Sequence, residues 1–279
     1  MGEYNIKKYL DSLSEDVETI DVSCMRINYL PDLLRFKNLK ELLCYNNNLI
    51  SLPILPENLK ELYCGNNNLT SLSNLPENLE KLYCSNNNLT SLSNLPKKLE
   101  ILCCDYNKLT SLPVLPENLK LLRCYSNNLI SLPVLPENLI ELCCGHNNLT
   151  SLPVLSKNLK ELSCSYNNLI SLPILPENLE RINCSTNKLT SLPVLPENLK
   201  VLFYFWNPIH DIIHKYGNNL NMIKKRIKIW NNFRHLFYCL KYRKIFLRMM
   251  EPVIKKRYHP SYLDDLMEED DLDEKLGEW

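Results

Sequence analysis

The chain is 279 residues long and carries 32 Lys and Arg against 32 Asp and Glu, so its formal net charge is zero and no global field points to nucleic acid or an acidic partner. No run of eighteen apolar residues is present, which excludes a membrane-spanning helix. With five glycines in all there is no glycine-rich phosphate loop, and HExxH and GxSxG are both missing.

The opening MGEYNIKKYLDSL lacks the apolar core of a signal peptide. Ile6 stands where a myristoylation site at Gly2 would need Ser or Thr. Residues 1–16 are predicted to form a short amphipathic helix with Tyr4, Ile6, Tyr9, Leu10 and Leu13 on one side. Residues 17–38 read as a degenerate first repeat: Val17, Ile20, Val22, Ile27 and Leu30 keep a frame that recurs later, and Met25 replaces its asparagine. Stacked repeats expose apolar edges at their ends, so residues 1–16 are assigned as the N-terminal cap.

From residue 39 to residue 198 a twenty-residue unit recurs without insertion. Such self-similarity decides the fold before local propensity does. One copy, LKELYCGNNNLTSLSNLPEN, spans residues 59–78 and has the frame L-x-x-L-x-C-x-x-N-x-L. Leu62 and Cys64 are two apart and share one face of an extended strand, while Glu61, Tyr63 and Gly65 face the other way. The second half of most copies reads L-P-x-L-P-x-N. Prolines three apart remove backbone donors and keep their predecessors extended. The return limb is therefore extended rather than helical, which keeps the unit short. Regular copies start at Leu39, Leu59, Leu79, Leu99, Leu119, Leu139, Leu159 and Leu179, and a further strand starts at Leu199 with Tyr204 in the cysteine position.

This frame resembles the short leucine-rich repeats of secreted bacterial effectors, with LPxLPxxLxxLxVxxNxLxxLP units, over residues 17–212. Cysteine stands here where that family has Val or Leu. The resemblance implies an α/β repeat fold: a leucine-rich-repeat solenoid with a curved parallel β-sheet, an extended or polyproline convex side, and α-helical caps. Three parts are expected: an N-terminal cap (1–16), a solenoid of about ten repeats (17–212), and a basic helical cap with an acidic tail (213–279). Some effectors of this kind add a ubiquitin-ligase domain with a Cys-x-Asp nucleophile. The tail cysteine here, Cys239 in FYCLKYR, has no Asp two residues on, and residues 213–279 are too few for that domain. No enzyme is expected.

Twelve cysteines are present. Cys44, Cys64, Cys84, Cys104, Cys124, Cys144, Cys164 and Cys184 share the inward register. Adjacent strands lie about 4.8 Å apart, within disulfide reach, but a straight ladder aims the Cβ vectors in parallel and fits the bridge dihedral badly. They are read as a reduced ladder of small buried hydrophobes. A linear ladder cannot converge four thiolates on zinc, so no metal or cofactor is expected. A thiol-rich chain of this kind fits a reducing, cytoplasmic compartment. The asparagines of the frame, Asn47 to Asn207 at intervals of twenty, are expected to be buried and hydrogen-bonded within the stack.

The outward strand positions vary, and there the choice of residue can reflect a partner. Tyr45, Tyr63, Tyr83, Tyr106, Arg123, Tyr125, His146 and Tyr166 lie on these columns. Tyr and Arg are enriched at binding hot spots, and these eight are the candidate contacts with a protein or peptide. Cys103 and Cys143 are expected to be outward thiols, two strands apart and unable to pair. The protein is expected to be a monomeric, non-catalytic interaction scaffold.

After Ile212 the frame dissolves. Apolar residues from Leu220 to Met249 recur at helical spacing among Lys and Arg, which predicts one or two amphipathic helices over the last repeat. The basic stretch 224–257 offers a second reading, contact with nucleic acid or an anionic membrane; a solvated capping face is favoured. The end is acidic, from Asp264 to Glu274. The segment YHPSYLDDLMEEDDLDEKLGEW is similar to C-terminal segments of repeat proteins from giant DNA viruses, which implies expression in host cytoplasm.

Overall fold

The computed structural model describes residues 6–210, 213, 219–241, 245 and 248. The chain divides into a unit from Met1 to Ile227 and a second from Lys228 to Trp279. Helix α1 spans Ile6–Asp11. Strand β1 is Thr19–Asp21, β2 Glu41–Leu43, β3 Glu61–Tyr63, β4 Lys81–Tyr83 and β5 Ile101–Cys103. Strand β6 is Leu121–Arg123, β7 Glu141–Cys143, β8 Glu161–Ser163, β9 Arg181–Asn183 and β10 Val201–Phe203, and helix α2 spans Leu220–Lys241.

The ten strands form one parallel sheet in sequence order. Pairing is in register with the repeat, Leu42 beside Leu62 and Leu62 beside Leu82. Only β1 and β2 differ, Ile20 lying beside Leu42 across a twenty-two-residue step. Each strand is three residues long because its middle residue alone points inward within the ladder; the next inward residue, the cysteine, already belongs to the turn. Among the described residues no helix lies between β1 and β10. The return limb runs extended through its prolines and closes with a bond such as Leu59 N to Pro56 O, 3.1 Å.

The core is a set of columns. Leu39, Leu42, Cys44 and Leu49 and their successors at +20, as far as Leu179, Ile182, Cys184 and Leu189, are buried; Leu202 in the last strand is half-buried. The eight ladder cysteines are buried and free. Burial pushes their thiols up, to about 12 at Cys44 and Cys184 and well above the ordinary value at Cys64, Cys104, Cys124 and Cys164. Two of them donate to the next strand, Cys104 Sγ to Arg123 O at 3.3 Å and Cys184 Sγ to Phe203 O at 3.4 Å.

The frame asparagines join one turn to the next. Asn87 Nδ2 donates to Cys64 O at 3.0 Å in the preceding repeat and to Cys84 O at 3.1 Å in its own, while its Oδ1 accepts Leu69 N at 2.9 Å. The same set recurs at Asn107, Asn127, Asn147, Asn167 and Asn187. A second asparagine column closes the return limb from outside: Asn118 Nδ2 donates to Lys97 O at 3.1 Å and Asn138 Nδ2 to Glu117 O at 3.0 Å.

At the first end, Ile6 and Leu10 of α1 are buried, with Tyr9 and Leu13 packed beside them. Helix α1 is six residues long and does not run to residue 16. Ser12 Oγ bonds Tyr9 O at 2.7 Å, a side-chain contact that competes with helix continuation. Arg35 holds the helix end by donating to Leu10 O and lies 4.6 Å over the Phe36 ring. At the other end, Tyr204 takes the cysteine position and is 2% exposed, and Ile209, Ile213, Ile223 and Ile227 continue the core beyond it. Asn219 caps α2 by accepting Asn221 N at 3.0 Å and Met222 N at 3.3 Å. The acidic terminus and the virus-like segment lie outside the described residues.

Two outcomes follow from the columns. Asn127→Ala strands a carbonyl in its own repeat and both a carbonyl and an amide in the repeat before, and should lower stability by about 3 kcal/mol in urea denaturation. Asn118→Ala, which removes one exposed bond, should cost less than about 1 kcal/mol. The thiols set an alkaline limit. Their folded values lie above the unfolded value near 9, so above that pH the unfolded chain binds fewer protons than the native one. The ladder's contribution is intact below about pH 9 and is lost as pH rises toward about 12. Urea melts between pH 8 and 11 should show a steep loss, and replacing several ladder cysteines with Val should flatten it.

Candidate partner-binding face

The outward strand positions are built around two aromatic groups. Tyr63 and Tyr83 stand side by side on β3 and β4, stacked with centroids 4.6 Å apart and planes 5° apart. Tyr63 Oη donates to Glu61 Oε2 at 2.7 Å, and Lys81 Nζ donates to Glu61 Oε1 at 2.8 Å. The Lys81 hydrogen bond holds the Glu61 carboxyl below its ordinary value. Burial, then the bond to Glu61, raises the Tyr63 phenol. The Glu61 carboxylate thus orients the Tyr63 ring, and Tyr83 stacks on it.

The second group is a row along the strand ends. Tyr106 meets Tyr125 edge-on at 5.4 Å, Tyr125 meets His146 edge-on at 5.6 Å, and His146 stacks on Tyr166 at 5.1 Å. Glycine makes room for this row. A Cβ on Gly145 would lie 3.1 Å from Tyr125 Cδ2 and 3.0 Å from Ser165 O. Arg123 sits beside the row, with Nε donating to Asp105 Oδ2 at 3.1 Å. Asp105 is buried, and its other oxygen accepts Tyr125 N at 2.8 Å. One carboxylate therefore fixes both Arg123 and the backbone under Tyr125. Tyr45 is half-buried on β2's flank and belongs to neither group.

Cys103 lies on the outward column, as the sequence reading has it, but is not open to solvent. Cys103 is 8% exposed. It lies in register between Tyr83 and Arg123, whose larger side chains cover it, and burial pushes its thiol up to about 12. Cys143 is half-buried beyond Arg123. Neither is an exposed nucleophile.

Three exposed aromatics escaped the sequence reading: Tyr29 at 55%, Phe203 at 45% and Trp206 at 73% exposure. Trp206 stands on the column of Tyr106, His146 and Tyr166, and following that column two units further would have found it. The column has a backbone peculiarity. Asn46, Asn66, Asn86, Tyr106, Ser126, His146, Tyr166, Thr186 and Trp206 all have φ between 53° and 56°. From Asn46 to Thr186 the amide at each such position donates to the next repeat, as Asn66 N does to Ser85 O at 2.8 Å, and the turn that aims it there is left-handed. Asn adopts left-handed backbone readily, while other side chains pay roughly 1–2 kcal/mol. Repeats one to three use Asn there; four later repeats carry a ring instead.

Residues 57–97 and 77–117 match the family model for Leucine Rich repeats (2 copies). The chain is a leucine-rich-repeat protein. Its solenoid is similar to the leucine-rich effector protein YopM from Yersinia pestis, with 33% identity and a TM-score of 0.63 over 72% of this chain and 63% of that one. YopM from Yersinia enterocolitica WA-314 matches at 30% identity and TM-score 0.52, over 69% and 54%. The functional domain of InlJ from Listeria monocytogenes, described as including a cysteine ladder, matches at 31% and 0.54, over 68% and 40%. The leucine-rich-repeat chain thus spans less than two thirds of each of these proteins. Comparison with curated proteins gives no match. The frame and the extended return limb are those of bacterial-effector-like repeats, and the Cys44–Cys184 column is this chain's own cysteine ladder.

The left-handed column yields a direct test. Tyr106→Asn, His146→Asn and Tyr166→Asn should each raise stability by about 1 kcal/mol, because Asn relieves the backbone strain. Thermal melting of the three single variants and the triple variant measures it.

Proposed function

We propose that this leucine-rich-repeat protein is a non-catalytic scaffold that binds a protein or peptide on the outward face of its sheet. Repeat solenoids use such extended faces for binding. The observation that carries the reading is the ring column: Tyr106, His146, Tyr166 and Trp206 hold exposed aromatics on left-handed backbone that Asn would occupy without strain. Strain kept at particular surface positions is a mark of function. The contacts are Tyr63 and Tyr83 as one stacked anchor, Tyr106, Tyr125, His146 and Tyr166 as a second, with Arg123 fixed beside the second and Tyr45 at the margin. Rigid rings give contact area at low entropic cost.

The test is retention of a binding protein by the immobilised full chain. Tyr63→Ala with Tyr83→Ala should weaken retention at least about tenfold, with little change in melting. The Asn variants of Tyr106, His146 and Tyr166 should weaken it similarly while melting higher. A partner held equally by wild type and both variants would place the site elsewhere.

A further inference from the structure

The return limb carries an apolar stripe that the outward strand face does not explain. Val114, Val134, Val154 and Ile174 are 85–90% exposed, and Val194 follows at 68%. Each stands one repeat after the last, next to a half-buried proline. Folding does not require aliphatics there. Repeats two and three carry Asn74 and Asn94 at the same position, after Ser in place of Pro, in the same unbroken sheet. Scattered exposed aliphatics need no explanation, but a contiguous patch marks an interaction site.

We propose that this stripe is the contact between two copies of the chain, packed return limb to return limb around a two-fold axis that runs along the stripe. Its size fits a weak dimer. With on the order of 100 Å² of apolar surface per aliphatic side chain, the stripe and its prolines offer roughly 600 Å² per copy, somewhat below the ~800 Å² per partner of standard interfaces. A second copy carries aliphatics at the same interval, so rung can meet rung along the stripe.

Charge selects the orientation. Three residues after each aliphatic comes an exposed charged row, Glu117, Glu137, Lys157, Glu177 and Glu197; three residues before it comes serine, exposed from Ser111 to Ser171. Antiparallel stripes around the perpendicular axis would set the acidic row against itself. Parallel stripes set each charged row against the partner's serines and place Val114 opposite Val114. This leaves both aromatic faces outward and open.

Sedimentation of the full chain from 5 to 200 µM tests the proposal. Wild type should show a concentration-dependent dimer. Val134→Asn, Val154→Asn and Ile174→Asn together should raise the dissociation constant at least about 100-fold, with melting little changed because the three side chains are exposed. A chain that stays monomeric to 200 µM, or a dimer untouched by the triple variant, overturns the dimer. Orientation has its own readout. On a Cys24→Ser background, Val114→Cys should cross-link copy to copy on mild oxidation, beyond the background alone. A dimer in which Val154→Cys cross-links and Val114→Cys does not would be antiparallel, and the parallel assignment would fall.

Discussion

Each turn of the solenoid is closed by one side-chain amide, and most other features follow from it. An asparagine can donate twice and accept twice. In every regular repeat after the first the buried column uses that capacity across three stretches of backbone: its own turn, the strand end of the repeat before, and the amide eighteen residues upstream. These groups lie deep between turns where no strand partner reaches them, and buried polar groups must be paired. The amide has to enter from the turn, so the residue before it must turn left-handed. The cysteine column is small for a related reason: it shares the layer beneath that turn, where Cys44 to Cys184 are fully buried.

The left-handed residue is where architecture and surface conflict. Asn at 46, 66 and 86 satisfies the backbone, and a ring at 106, 146, 166 and 206 does so under strain. No core contact requires those rings, since Tyr106, Tyr166 and Trp206 are exposed. Solenoid stability is close to a sum over units and their interfaces, so strain in one unit is carried by its neighbours rather than by the whole. A repeat protein can thus hold several strained surface positions at once without any being decisive for folding.

The frame was legible because a period of twenty, read once, is read nine times. Leu62, Cys64, Asn67 and the paired prolines each have one physical role, and repetition removes the ambiguity a single copy would leave. The solenoid, its inward columns and the extended return limb were readable on that basis. The features that were not readable depend on neighbours across strands. Cys103 looked exposed because alternation puts it outward; it is covered because Tyr83 and Arg123 happen to flank it. Asp105 looked like one more variable residue, yet its two oxygens fix Arg123 and Tyr125. The exposure of Val114 to Val194 was hidden because Leu-Pro-Val-Leu reads as uniformly apolar, and only the path of the chain shows that the outer residue faces water. The end of α1 was missed because Ser12 acts through a local bond that no hydrophobic pattern records.

The unbroken step of twenty also bears on how the protein can change over generations. From Asn67 onward every bond of the frame asparagine reaches a fixed distance back along the chain, and pairing between regular strands never slips. Deleting or duplicating one whole unit, as unequal recombination between near-identical coding segments would do, leaves each remaining bond with an equivalent partner. The same event lengthens or shortens the ring column and the aliphatic stripe together by one rung. Lineages could therefore alter the reach of both surfaces in quantised steps, while an insertion of any other length would break the ladder at that point.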